Sequence, residues 1–237
     1  MGLAKIAPAL ASRYSARMNP QRRHAYLDAL GISSWSLRRK AEPAHAPLSA
    51  PVALEWSALR GRVAACTRCS LCATRTQTVF GVGDPGADWL IIGEAPGAEE
   101  DRLGEPFVGR AGQLLNSMLR AIGLSRTEVY IANILKCRPP GNRDPSPAEA
   151  AKCLPYLNEQ IALLQPKIIL VVGRIAAHNL LRTDQSLSRL RQQVHYFGKD
   201  RIPVIATYHP AYLLRELHEK RKAWEDLKFA REVLSRV

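Results

Sequence analysis

No stretch of the 237 residues approaches the roughly 20 consecutive apolar residues of a membrane span, so a bilayer-embedded chain is not expected. The N-terminus lacks a convincing export signal, because Ile6 to Ala11 is short and Pro8 interrupts it. A cytoplasmic location is therefore the expectation. With no export signal, the five cysteines point to metal ligation or catalysis rather than to disulfides. There is no internal sequence repeat, which argues against stacked-repeat architectures. Acidic residues are the scarce charge: 21 Asp and Glu against 34 Lys and Arg leave a formal net charge of +13. Such a surplus favours a polyanionic partner through counterion release, and nucleic acid is the expected one.

With 46% apolar residues the chain can bury one substantial core. Residues 1 to 40 hold eight basic residues and a single acid, Asp28, and read as a basic arm. A short helix is predicted from Asn19 to Leu30, with Asn19 as cap, Pro20 at the first helical position and Gly31 as the stop. Ala41 to Pro51, rich in proline and alanine, reads as a linker. The division expected is thus an arm and linker over residues 1–51 and a compact domain over residues 52–237.

Within that domain the apolar run Trp89 to Ile92 reads as a buried strand that breaks into Gly93, Pro96 and Gly97. Val129 to Ile134, Ile168 to Val172 and Ile202 to Thr207 read the same way. Helices are predicted over Leu54–Ala64, Gly112–Ile122, Pro147–Leu164 with Ser146 as cap, Arg174–Leu181 and Lys220–Val237. Strands alternating with helices mean an α/β protein, with a parallel sheet covered on both faces. The loops at 93–112, 133–143 and 207–215 should then meet at one sheet edge, beyond the carboxyl ends of the strands, where ligands sit in such folds.

Cys66 and Cys69 form a C-x-x-C pair, and Cys137 and Cys153 lie far downstream. Four thiolates from two separated places can close a tetrahedral site, and a [4Fe–4S] cluster or a structural zinc ion would each satisfy that pattern. Cys72, beside Leu71, reads as a packed thiol.

Gly93-Glu-Ala-Pro-Gly97, Glu105-Pro-Phe-Val-Gly-Arg-Ala-Gly112, Asn133-Ile-Leu-Lys-Cys-Arg-Pro-Pro140, Asn142-Arg143 and His209-Pro-Ala-Tyr-Leu-Leu214 follow one another in a set order. That ordered set closely resembles family 4 uracil-DNA glycosylases, the iron–sulfur members of their superfamily, over roughly residues 59–234. The resemblance implies a three-layer α/β/α sandwich around a four-stranded parallel sheet. It also implies a structural [4Fe–4S] cluster on Cys66, Cys69, Cys137 and Cys153. The implied activity is monofunctional: uracil is flipped out of single- or double-stranded DNA and excised as the free base, leaving an abasic site for base excision repair.

By the same resemblance, Phe107 stacks on the base, Asn133 reads its edge, and His209 donates to uracil O2 while main-chain N–H groups of residues 93–97 stabilise the departing anion. Gly93, Glu94 and Ala95 border the base. Because Ala95 stands where the best-known branch has an aspartate, Glu94 is the nearest candidate to orient water. Glu100 is a candidate to exclude the methyl of thymine. Leu213 or Leu214 would fill the gap left by the flipped base, and Arg215, Arg110, Arg138 and Arg143 would meet phosphates. Residues 140–145 contain no histidine, which sets the chain apart from a related branch that binds uracil-DNA covalently through one. A non-catalytic iron–sulfur DNA-binding module would have no need of Phe107, Asn133 and His209 together. A monomer is the expected state.

Overall fold

The computed structural model of the chain describes residues 50–236. The basic arm, its expected helix at residues 19–30 and the linker up to residue 49 lie outside the described residues. Helix α1 spans Ala50–Ala64, so the last two residues expected in the linker are already helical.

Four five- or six-residue apolar runs form the centre of the sheet: β2 (Trp89–Gly93), β3 (Val129–Asn133), β4 (Ile168–Val172) and β6 (Ile202–Thr207). Neighbours among them pair in parallel. The expected four-stranded parallel sheet is therefore present, but as the middle of a six-stranded one ordered β1-β3-β2-β4-β6-β5. The two added strands, β1 (Val82–Gly83) and β5 (His195–Phe197), are antiparallel edges. At two and three residues they are too short to carry an alternation of their own, and short edges also blunt a sheet against pairing with other chains.

Helices α2 (Ala98–Leu103), α3 (Arg110–Ala121), α4 (Pro147–Leu164), α5 (Arg174–Leu181), α6 (Leu187–Leu190), α7 (Pro210–Leu213) and α8 (Lys220–Leu234) follow among the described residues, with short 3-10 turns between elements. The start of α4 follows the sequence signal closely. Ser146 Oγ accepts from the Glu149 amide at 3.2 Å and Glu149 accepts from the Ser146 amide at 2.8 Å, with Pro147 at the first helical position.

Side chains alternate across each strand, and the two faces build two cores. Leu90, Ile92, Tyr130, Ile169 and Val204 pack with Trp56 and Leu59 of α1 and Leu157 and Ile161 of α4. Trp89, Ile91, Ile131, Leu170 and Ile205 pack with Leu115 and Leu119 of α3 and Leu227 and Ala230 of α8. This is the α/β/α sandwich. Each fully buried Leu or Ile contributes about 1.5–3 kcal/mol relative to exposure, so the sheet is clamped from both sides.

The order of strands reverses at β2, which has β3 on one side and β4 on the other. The crevice at such a switch point, outside the carboxyl ends, is where an open α/β sheet takes a ligand.

Candidate active site

The register of the sheet sets Gly93, the last residue of β2, directly beside Asn133, the last residue of β3. A Cβ on residue 93 would lie 2.4 Å from Asn133 Oδ1 and 2.6 Å from Phe107 Cζ, so only glycine lets these two side chains close over the strand end. Phe107 has φ 54°, a left-handed conformation that is uncommon for a side chain of this size. Its carbonyl in turn sits where a Cβ on residue 112 would be, 1.8 Å away, which accounts for Gly112 in the first turn of α3. His209, two residues beyond the end of β6, brings its ring to 5.6 Å from that of Phe107, with 32° between the planes.

These three side chains, from three separate parts of the chain, line one cavity of about 540 Å³. Glu94, Ala95, Gly97, Glu100, Arg143 and Arg215 line it too. A larger cavity of about 880 Å³ lies at the opposite, N-terminal ends of β4 and β6, around residues 165–167 and 196–203. None of the motif residues line it; they line the smaller one.

Asn133 is 2% exposed, and its side-chain oxygen is buried without a hydrogen-bond partner. An unpaired buried acceptor costs on the order of 1–3 kcal/mol, which a ligand donor would recover. His209 caps α7 by accepting the Ala211 amide at Nδ1, 3.1 Å away. Burial, with Arg215 adding and Glu100 opposing, pushes its imidazole down to about 4. The ring is thus neutral at pH 7, and the occupied Nδ1 leaves the proton on Nε2 as a donor. Burial also lifts the Glu94 carboxyl to about 7, with Asp144 adding to the effect and Arg174 opposing it.

Glu100 does more than border the cavity. Its carboxylate accepts from the amides of Gly97 (3.2 Å), Val108 (3.0 Å) and Gly109 (3.1 Å), and so ties the loop after β2 to the loop that carries Phe107. At the end of β6, Thr207 meets Asp226, which is fully buried and accepts from Arg191 at 2.6 and 3.0 Å, Thr207 at 2.8 Å and Gln192 at 2.7 Å. That network fixes the end of β6, and hence the entry into His209.

Of the residues expected to meet DNA, Arg215 borders the cavity and is exposed. Arg110 is exposed at the start of α3; it does not line the cavity, but the next residue, Ala111, does. Arg138 donates to Asn142 at 2.7 Å, and Arg143 forms a two-pronged pair with Glu149 at 2.7 and 2.9 Å. Leu213 differs from expectation. It is 1% exposed and packs into the core with Leu115 and Leu227, because the single turn of α7 points it inward; Leu214 is half-buried.

Cys66, Cys69, Cys137 and Cys153 line a second, small cavity, and Cys72 lines it as well. Among the described residues no three of His, Cys, Asp and Glu close on a single ion. The sulfurs have donors nearby: Arg75 Nη1 lies 3.0 Å from Cys137 Sγ, and the Lys136 amide 3.2 Å from Cys153 Sγ. Burial pushes the Cys153 thiol up to about 11, the direction that bound metal and these donors would reverse. Lys136 itself is a residue that sequence reasoning passed over. It is 1% exposed, with Nζ bonded to the Asn133 main-chain oxygen at 2.9 Å and to Gln160 at 2.6 Å, so it sits between the cysteine cavity and the end of β3.

The family model described as the uracil DNA glycosylase superfamily matches residues 80–228, which hold Phe107, Asn133 and His209. The type-4 uracil-DNA glycosylase of Archaeoglobus fulgidus is 44% identical over 173 residues, 70% of this chain and 86% of that protein. The one from Thermotoga maritima is 40% identical over 179 residues, 74% of this chain and 92% of its own length. A type-5 uracil-DNA glycosylase of Thermus thermophilus is more distant, at 33% over 151 residues, 56% of this chain and 68% of that protein. Since the family match runs over more than half of this chain and the two type-4 relatives are matched over 86% and 92% of their own lengths, the chain belongs to the uracil-DNA glycosylase superfamily.

Proposed function

We propose that this chain is a DNA repair glycosylase that extrudes uridine from DNA and hydrolyses the bond between uracil N1 and the sugar. The observation that carries the reading is the shared cavity of Phe107, Asn133 and His209, with a buried acceptor left unpaired at Asn133. A base inside a duplex is out of reach, so the unstacking cost must be recovered in the pocket. The Phe107 ring takes one face of the base. Asn133 Oδ1 accepts N3–H and its amide donates to O4; cytosine presents the opposite pattern and would leave both unpaired.

As the N-glycosidic bond breaks, its electron pair goes to the base and the sugar takes on oxocarbenium character. The Nε2–H of neutral His209 stabilises the negative charge gathering at O2. Of the main-chain amides in the 93–97 loop, that of Gly97 is already bonded to Glu100 and Pro96 has none, so Glu94 and Ala95 are the ones that could share this role. A water, oriented by Glu94, adds to the anomeric carbon and loses a proton to solvent, while the uracil anion takes one up, so that one water is consumed in all. Uracil then leaves as the free base and the abasic site remains in the DNA.

Leu214, rather than Leu213, suits the role of filling the vacated stack. Arg215 has the exposure to meet a phosphate, as does Arg110; Arg138 and Arg143 would have to release Asn142 and Glu149 to do so. The arm and linker, residues 1–51, would add cationic reach to the catalytic domain of residues 52–237. The protein would work as a monomer in the cytoplasm on single- or double-stranded uracil-DNA.

Cys66, Cys69, Cys137 and Cys153 would hold a [4Fe–4S] cluster, which braces the 133–143 loop against α4 and takes no part in the reaction. What supports this is the donor chemistry: these four thiols, with Cys72, line one small cavity, and Arg75 and the Lys136 amide stand beside the sulfurs of Cys137 and Cys153 as donors for thiolates. Uracil-containing oligonucleotide treated with the protein and then with alkali should break at the uracil. An intact strand would reject the activity. Purified protein should be brown and contain iron; a colourless protein with stoichiometric zinc would reject the cluster.

A further inference from the structure

The strained backbone of Phe107 is held by a residue outside every motif. Arg126 lies in a short turn, Arg126–Glu128, which precedes β3 and is itself braced by Ser125 and Glu128, the Ser125 amide donating to Glu128 at 2.7 Å. From there its guanidinium spans two successive carbonyls. Nη1 donates to the Phe107 oxygen at 3.2 Å and Nη2 to the Pro106 oxygen. Arg126 is half-buried, with these donors committed to main chain rather than turned to solvent.

Phe107 needs such a clamp. At φ 54° a phenylalanine pays for its conformation, and the loop will relax unless its surroundings over-determine it. Glu100 holds the loop by the amides of Val108 and Gly109, whereas the carbonyls of residues 106 and 107 have Arg126. A guanidinium suits the task because its rigid planar fork can meet two acceptors at once, which a lysine cannot reproduce. Relaxation of residue 107 would swing the ring away from Gly93 and His209, and with it one wall of the cavity.

We infer that Arg126 is a positioning residue for base stacking: it fixes the Pro106–Phe107 backbone so that the ring faces the extruded base. The inference rests on reading this cavity as the base pocket. Stacking acts alike on bound base and transition state, so the loss should fall on affinity more than on turnover.

The test is the inhibition constant of free uracil, measured against cleavage of uracil-DNA, for wild type, Arg126→Met, Arg126→Lys, Phe107→Ala and the double variant Phe107→Ala/Arg126→Met. This constant does not depend on the fraction of protein that is active, so a merely structural weakening would leave it unmoved. Arg126→Met should weaken uracil about tenfold, with kcat within about threefold of wild type. Arg126→Lys should fall between the two, and the double variant should be little worse than Phe107→Ala alone, since both changes remove one interaction.

Wild-type inhibition by uracil in Arg126→Met, alongside a weakened Phe107→Ala, would overturn the clamp and spare the pocket. An unchanged constant in Phe107→Ala would overturn the pocket reading and the clamp with it. Should the methionine variant fail to fold, Arg126→Lys and Arg126→Gln are read on the same scale, and wild-type constants in both would overturn the clamp.

Discussion

Replacing Glu94 by glutamine should stabilise the protein, and only above a particular pH. The carboxyl ionises near 4.5 when unhindered and at about 7 in the folded chain, chiefly because the cavity wall denies it water. Between those values the unfolded chain sheds this proton while the folded chain keeps it. Stability from this group is therefore complete below pH 4.5, declines as pH rises towards 7, and is level above. Taken in full the gap is about 3–4 kcal/mol at pH 8, and because Glu94 is only half-buried, solvent screening holds it to at most about 3 kcal/mol. Glutamine keeps the shape and has no proton to lose. Thermal unfolding should give matching melting temperatures for wild type and Glu94→Gln at pH 4.5, and a variant more stable by up to roughly 6–12 °C at pH 8. The same substitution should erase the rise of activity through pH 7 if the ionised carboxylate orients water. Asp144→Asn, which removes a neighbouring negative charge, should move that rise to lower pH. A difference in melting temperature that is the same at pH 4.5 and pH 8, or absent at both, would refute the reasoning.

Gly93→Ala inserts a methyl 2.4 Å from Asn133 Oδ1 and 2.6 Å from the Phe107 ring, so kcat/KM should fall by about 100-fold, with a stability loss of about 1–3 kcal/mol in urea titration. Asp226→Ala removes the buried carboxylate that Arg191, Gln192 and Thr207 share, leaving half-buried Arg191 with the Lys222 carbonyl and Tyr208, and should cost about 1–3 kcal/mol; an unchanged urea midpoint would contradict the role given to that network. Binding to uracil-DNA should weaken steeply with salt, by on the order of 10³-fold or more between 50 and 200 mM if six or more phosphates are engaged; a flat response in fluorescence anisotropy would remove the electrostatic role of the basic surface.

The central strands were legible in the sequence because each is an unbroken run of apolar residues ending in glycine, asparagine or a polar turn. The edge strands Val82–Gly83 and His195–Phe197 were not, since two or three residues show no alternation. Phe107, Asn133 and His209 could be named from their motifs, and their meeting follows from parallel strands that release their loops at one edge. What the motifs could not give was support through the main chain. Arg126 acts on carbonyls, which leave no trace in residue identity. Lys136 reads as a surface residue between Leu135 and Cys137, yet it is buried because two oxygens receive its amine. Leu213 and Leu214 were indistinguishable for a similar reason: α7 is a single turn, too short for a hydrophobic period to say which leucine faces the core.

The most direct measurement is free uracil released from uracil-DNA under single-turnover conditions, quantified by chromatography for wild type and for Phe107→Ala, Asn133→Ala and His209→Ala. Wild type should release one base per uracil site. With DNA below saturation each single variant should be slower, Asn133→Ala and His209→Ala by about 10²-fold or more and Phe107→Ala by about tenfold through weaker capture of the base. Wild-type release by any one of the three would contradict the claim that these side chains act together on one extruded base.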